Sequence, residues 1–276
     1  MHRRIFLKQA AFFLTMAAAP LAIADDVGTA GNTRFDAHVK DRLLKKRLFD
    51  KVYEEDIFLD SSLFPVLTAS LGRLENMQRI VGYANFCLLN FDDAIKIGNA
   101  YSSVGAFPKQ ELDFLEMIFY SRVNEYGFMG EKPIKTITGK INKNKVQKIP
   151  HTGNFLYRGR SSEMYDWIQK QVGQEVILTS GVRSVMKQFL LFLNKAQESS
   201  GNLSMASRSL APPGYSYHGI GDFDVGKKGF GIDNFTERFT QTDVYKKLLD
   251  LGCLKFRYDR DNDLGVRFEP WHIEVV

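Results

Sequence analysis

Between residues 127 and 150 the hydrophobic pattern of this chain changes period, and that change limits the folds open to it. Before it, apolar residues recur at the three- and four-residue spacing of helices with one buried face. Leu112, Leu115, Phe119, Val123 and Tyr126 follow Pro108, a residue suited to a first helical turn. The spacing predicts helices over 37–54, 70–89 and 108–126. After it, helical and β-rich runs alternate. Helices are predicted over 162–172, 184–198 and 242–251, and strands over 175–179 and 266–276. A loop punctuated by Pro212-Pro213-Gly214 covers 202–215. Thr242 is placed to cap the last helix and Gly252 to close it. Helices and short strands without βαβ regularity point to α+β. The turning segment itself, 127–150, holds six lysines against the single acid Glu131 and reads as a solvated loop or hairpin that links the two parts.

Composition narrows the class. Hydrophobic residues make up 44% of the 276 and charged residues 25%, which describes a globular chain. Global disorder, collagen-like repetition and a multi-span membrane protein are excluded. The net charge is +5, but Arg3, Arg4 and Lys8 supply three of those charges with no acid before Asp25. The remainder is too weakly basic for a nucleic-acid partner to be argued from charge.

Residues 1–24 read as an address. A basic start precedes the apolar run 10–19, which is shorter than the roughly 20 residues that span a bilayer. Ala22-Ile23-Ala24 has the small-x-small form that a signal peptidase accepts. Arg3-Arg4-Ile5-Phe6-Leu7-Lys8 resembles the bacterial twin-arginine export signal. The expectation is a bacterial protein exported to the periplasm or otherwise outside the cytoplasmic membrane, beginning near Asp25 and keeping no membrane span. The expected organisation is thus a signal peptide at 1–24, a helical region with a lysine-rich linker at 25–150, and a C-terminal domain at 151–276.

Chemistry-bearing residues concentrate in that last part. Past residue 24 the chain has four histidines, of which His38 and His151 sit in polar surroundings and read as bystanders. The other two keep unusual company. Ser216-Tyr217-His218-Gly219-Ile220-Gly221-Asp222-Phe223-Asp224 places an imidazole and two carboxylates a few residues apart, and its glycines let the backbone turn so that they converge on one cation. Glu269-Pro270-Trp271-His272 adds a second imidazole and a third carboxylate. A catalytic zinc uses three protein ligands, an open position for water, and a nearby base for that water's proton. His218, an aspartate at 222 or 224, His272 and Glu269 supply that set. Ser180-Gly181-Val182-Arg183-Ser184 follows the predicted strand, and an arginine there can present its planar fork to a carboxylate or a developing oxyanion.

Together, in this order along the chain, the three segments resemble the VanY-type D-alanyl-D-alanine carboxypeptidases of the LAS zinc-peptidase group. Those carry Ser-Gly-Tyr-Arg-Ser, Ser-x-His-x-x-Gly-x-Ala-x-Asp and Glu-x-Trp-His. Val182 stands where the family has tyrosine, Phe223 falls near its alanine, and the six-residue step from His218 to Asp224 is one shorter. The resemblance covers roughly 172–276. It implies an α+β fold in which a small antiparallel sheet with flanking helices carries the metal site, behind the mainly helical N-terminal region. It implies zinc held by His218, Asp224 and His272, with Glu269 as general base and then acid. Arg183 would bind the substrate or its transition state, with Ser216 as a supporting contact and Asp222 touching either substrate or a ligand histidine. The implied substrates are peptidoglycan stem peptides ending in D-alanine.

Three rivals remain. An endopeptidase of the same family would use the same residues. Ser184-Val185-Met186-Lys187 matches the Ser-x-x-Lys of serine D,D-peptidases, and Ser200-Gly201-Asn202 their second element, but no Lys-Thr-Gly follows. A non-catalytic cell-wall binding protein would have no use for Glu269. The run 226–231, Gly-Lys-Lys-Gly-Phe-Gly, lacks the ending of a phosphate loop. Cys87 and Cys253 are the only cysteines, so no thiolate metal cluster is possible; Cys87 reads as a buried free thiol.

Overall fold

A helical run over residues 40–47 leads into α1 (Phe64–Val81), α2 (Tyr83–Phe86), α3 (Phe91–Ala100) and α4 (Lys109–Tyr120). The structure, a computed structural model, describes residues 40–276; the expected export signal and His38 lie outside the described residues. Pro65 occupies the first turn of α1, and Gly82 at φ 85° breaks the run that periodicity alone carries to residue 89. Asn90 caps α3 by accepting a hydrogen bond from the Asp93 N–H. The expected helix 108–126 stops at Tyr120 because Ser121 turns extended and bonds its hydroxyl back to the Ile118 carbonyl. Val123 and Tyr126 keep the helical spacing but sit in a separate 3-10 turn.

The second half supplies the sheet. β1 (Val146–Ile149) and β2 (Asn154–Tyr157) form an antiparallel hairpin that straddles the boundary expected at residue 150. Then come α5 (Arg160–Val172), β3 (Val176–Ser180), α6 (Val185–Glu198), α7 (Leu203–Ser209), β4 (Phe223–Lys227), α8 (Asp243–Asp250) and β5 (His272–Ile273). Strands β3, β4 and β5 make one antiparallel sheet in that order. The fold is α+β, as its alternating second half implies. Thr242 caps α8 through the Tyr245 N–H, as expected.

Two expectations are corrected. The terminal strand 266–276 shrinks to His272–Ile273, because Pro270 has no N–H for a ladder and the His272 N–H closes a turn onto the Glu269 carbonyl. The loop 202–215 contains α7, capped by the Asn202 side chain on the Met205 N–H. Its sequence, Leu-Ser-Met-Ala-Ser-Arg-Ser, shows no apolar stripe because all seven residues are buried.

Two large cores and a small cluster of Leu88, Val146 and Val182 hold these elements. The larger joins Leu67, Leu71 and Leu74 of α1 and Leu115 and Phe119 of α4 to Phe189, Phe192 and Leu193 of α6. The second lies against the sheet, where Tyr165 and Ile168 of α5 meet Val176, Leu178, Phe223, Val225 and Ile273. The described residues therefore fall in one unit, and N-terminal helices brace a helix of the C-terminal part. Cys87 is half-buried and Cys253 exposed; both are free thiols. Among the described residues no helix is long and apolar enough to cross a membrane.

A buried ion pair pins α7 to the segment before α1. Arg208 holds Asp56 with two bonds of 2.6 and 2.9 Å, and the two side chains are 6% and 3% exposed. Removing one partner strands the other charge, which costs about 3–5 kcal/mol. Asp56→Ala should therefore lower stability by about that much in a denaturant titration; a change under about 1 kcal/mol would show that water reaches Arg208 readily.

Candidate metal centre and its cleft

The sheet register builds the site. Asp224 on the central strand stands opposite Ser180 of β3 and His272 of β5. Phe223 and Val225 point into the core beneath the sheet, so alternation turns Asp224 to the other face. His218 arrives from a 3-10 turn, Tyr217–Gly219, and Gly221 at φ 150° lets the chain double back into β4.

Each imidazole has one nitrogen committed. His218 Nδ1 lies 2.8 Å from the Gly181 carbonyl, an obligate acceptor, so that nitrogen carries the proton and Nε2 keeps its lone pair. His272 Nε2 lies 3.0 Å from Asp222 Oδ2, which directs its Nδ1 the other way. The two remaining nitrogens converge on one oxygen: Asp224 Oδ1 is 3.2 Å from His218 Nε2 and 3.3 Å from His272 Nδ1. The three ligand atoms all lie within 4.8 Å of one another and belong to buried residues. Asp224 Oδ1 itself is buried without a hydrogen-bond partner. Two imidazole nitrogens converging on a carboxylate oxygen that makes no hydrogen bond fit a cation that displaces the proton of His272, and two imidazoles with one carboxylate form a donor set that suits zinc.

The surroundings shift the charges. Burial, aided by Arg183, pushes His218 below the usual histidine range. Burial would do the same to His272, but hydrogen bonds to Asp222 and Glu269 and the charge of Asp224 lift it to about 9. Burial opposes the ionised form of both aspartates, yet His218 holds Asp224 below the carboxylate range, and His272 with Arg257 holds Asp222 far below it.

A cavity of about 500 Å³ opens over the trio. Arg183, Ser216 and Glu269 line it, as do His218, Asp224 and His272. Glu269 Oε2 is 3.6 Å from His272 Nδ1. The Arg183 guanidinium reaches Ser180 Oγ at 2.9 Å, Gln188 Oε1 at 3.2 Å and Asp224 Oδ2 at 3.5 Å. Gly181 is required where it stands, since a Cβ there would collide with the Phe155 carbonyl.

Of the two contacts expected for Asp222, a ligand histidine or substrate, the structure shows the histidine and corrects the substrate contact. Its side chain is fully buried, and its oxygens are taken by His272, Arg257 and the Val275 and Val276 N–H groups, leaving no face for substrate. The serine rival fares no better. Ser184 Oγ bonds the Phe86 carbonyl and caps α6 through the Lys187 N–H, while Lys187 Nζ bonds Gln78 2.7 Å away. His151 sits in the β1–β2 turn at φ 63° and, unlike Thr152, Gly153 and Asn154 after it, does not line the cavity.

Sequence reasoning missed Arg257, Tyr258 and Arg267. Arg257 stacks over the Tyr217 ring and grips Asp222. Tyr258 lines the cavity and meets His272 edge to face at 4.8 Å; burial, with Glu269, pushes its hydroxyl well above its usual range, so it stays a neutral donor. No short motif marked these residues.

Residues 160–276 match the family model VanY, D-alanyl-D-alanine carboxypeptidase, a stretch that takes in every cavity residue of the trio and Glu269. No curated protein matches the chain. Among solved structures, a Zn(II)-bound mutant of the vancomycin-resistance D,D-pentapeptidase VanY, from a VanB-type cassette, is 22% identical over 48% of this chain and 78% of its own, with a TM-score of 0.37. VanYB in complex with D-Ala-D-Ala is 24% identical over 48% and 76%, TM-score 0.37. The LD-carboxypeptidase LdcB is 26% identical over 47% and 62%, TM-score 0.38.

Metal content separates the two aspartates. Asp224→Asn should abolish binding of a divalent ion, whereas Asp222→Asn should keep it with affinity about 10- to 100-fold weaker, the usual loss when a partner behind a ligand histidine is changed. Equal metal content in the two purified variants would contradict this division.

Proposed function

We propose that this chain is an exported zinc D,D-carboxypeptidase that removes terminal D-alanine from peptidoglycan stem peptides. The observation that carries the reading is the orphaned Asp224 Oδ1 facing two histidine nitrogens, with the Glu269 carboxylate 3.6 Å from one of them. The family match over 160–276 supports the substrate class, and Arg3-Arg4 with the apolar run after it supports twin-arginine export.

Zinc held by His218, Asp224 and His272 would supply Lewis acidity to the scissile carbonyl and to the attacking water. Glu269 on the cavity wall takes that water's proton and delivers a proton to the leaving D-alanine amine. Asp222 fixes the His272 Nε2–H, which keeps the Nδ1 lone pair aimed at the site. Arg183, anchored by Ser180 and Gln188, turns its positive charge to the oxyanion that develops on the carbonyl oxygen. Ser216 offers a hydroxyl to the peptide backbone from the cavity wall.

Muropeptides incubated with the protein should lose one alanine mass, read by mass spectrometry; release of cross-linked fragments instead would make it an endopeptidase. Glu269→Gln should keep zinc and fold but lose about 10²- to 10⁴-fold in kcat, since both proton transfers fail. Near-normal turnover in that variant would remove Glu269 from the mechanism.

Metal binding should also release a proton. With His272 lifted to about 9, the metal-free protein holds its imidazole protonated at pH 7. A ligand nitrogen must be neutral, so zinc displaces about one proton there, and affinity climbs as pH rises towards that value. Calorimetric titration of zinc at pH 7 in buffers of different ionisation enthalpy reads the release directly; a buffer-independent heat would contradict it.

A further inference from the structure

Three cationic side chains besides the histidines wall the cleft: Arg183, Lys187 and Arg267. Two of them are engaged. Arg183 is spread over Ser180, Gln188 and Asp224, and Lys187 Nζ is bonded to Gln78. Arg267 is different. Of its five N–H donors, one reaches the Phe235 carbonyl at 3.2 Å, and its Nε is buried without a partner. Glu269, Glu237 and Asp50 act on it only through space, and among the described residues none forms an ion pair with it.

Its position is nonetheless fixed. The guanidinium lies 4.6 Å from the centre of the Phe49 ring and 5.1 Å from that of Trp271, so two aromatic side chains hold it. Arg267 lines the same cavity as Trp271, the candidate base Glu269 and the candidate ligand His272. A largely buried, unpaired cation costs free energy, and a rigid planar fork with spare donors matches a carboxylate.

We propose that Arg267 is the carboxylate receptor of the cleft. The inference rests on the peptidase reading above. Stem peptides offer two sources of that group, the terminal D-alanine carboxylate and a side-chain or branch carboxylate further back. If the terminal group is the one held, cleavage is confined to the chain end, because an internal bond has no carboxylate beyond it.

The test uses zinc-loaded full-length protein and three peptides: a blocked Lys-D-Ala-D-Ala acid, its C-terminal amide, and a longer amide carrying a D-glutamyl carboxylate upstream. Wild type should prefer the acid to the amide in kcat/KM by about 10- to 100-fold, the range of a charge-assisted hydrogen-bond pair. Arg267→Gln should collapse that preference, and Arg267→Lys, which keeps charge without the fork, should restore part of it. Loss of an advantage seen only with the upstream carboxylate would support the receptor and assign it to that second source. A purely structural role would lower all three peptides alike, and that result overturns the proposal. Wild type showing no preference for any carboxylate also overturns it, with no need for the variant to fold. Calorimetric titration with D-alanyl-D-alanine separates the two readings: an inert protein that binds the dipeptide through Arg267 would sink the peptidase assignment and leave the receptor, whereas active protein with carboxylate-blind binding would sink the receptor alone.

Discussion

The register of three short strands is the constraint on which the site depends. Antiparallel pairing sets Asp224 between Ser180 and His272, at the roughly 4.8 Å spacing of neighbouring strands. From there an imidazole on one strand and a carboxylate on the next share one face without further adjustment. A slip of one residue would turn Asp224 into the core and Phe223 into the cleft. The apolar partners of Phe223 and Val225, Tyr165 and Ile168 among them, resist that slip. Packing beneath the sheet and ligand geometry above it are thus the same specification.

The N-terminal helices take part in that specification. α6 is capped by Ser184, the residue after Arg183, and its Phe189, Phe192 and Leu193 are buried against α1 and α4. The Ser184 N–H bonds the Cys87 carbonyl and its hydroxyl the Phe86 carbonyl, so the start of the helix beside Arg183 is tied directly to the end of α2. Val182, where the resembling family carries tyrosine, packs with Leu88 and Val146 instead of facing the cleft. Tyr83 and Cys87 reach the cavity wall. Residues that carried no chemical signal in the sequence therefore shape the cleft that the C-terminal part uses.

What could be read from the sequence followed local rules. Thr242 as a cap, the strand after Glu175 and the helix after Ser184 were legible because each depends on neighbours a few residues away. The convergence of His218, Asp224 and His272 was legible because glycines mark the turn and the three residues share one motif order. α7 was hidden, since its small buried side chains give no amphipathic stripe. Arg257 and Arg267 were hidden for another reason: their partners Asp222 and Phe49 lie far away along the chain. The place of Asp222 two residues before Asp224 made it legible as a neighbour of a ligand histidine or of substrate; the C-terminal N–H groups and Arg257 decide between the two.

Charge balance joins these pieces. Asp222, Asp224 and Glu269 bring three carboxylates to one small volume, against which Arg183 and Arg257 set two permanent cations. The raised His272 supplies the third positive charge while no ion is bound, and burial of so many charges is tolerable only near neutrality. Exchanging that proton for a divalent ion leaves the site with a net positive charge, to which the unpaired Arg267 adds another. A cleft so arranged favours a ligand that arrives as an anion and gains negative charge as it reacts. A peptide with a free carboxylate, passing through an oxyanion, meets both requirements.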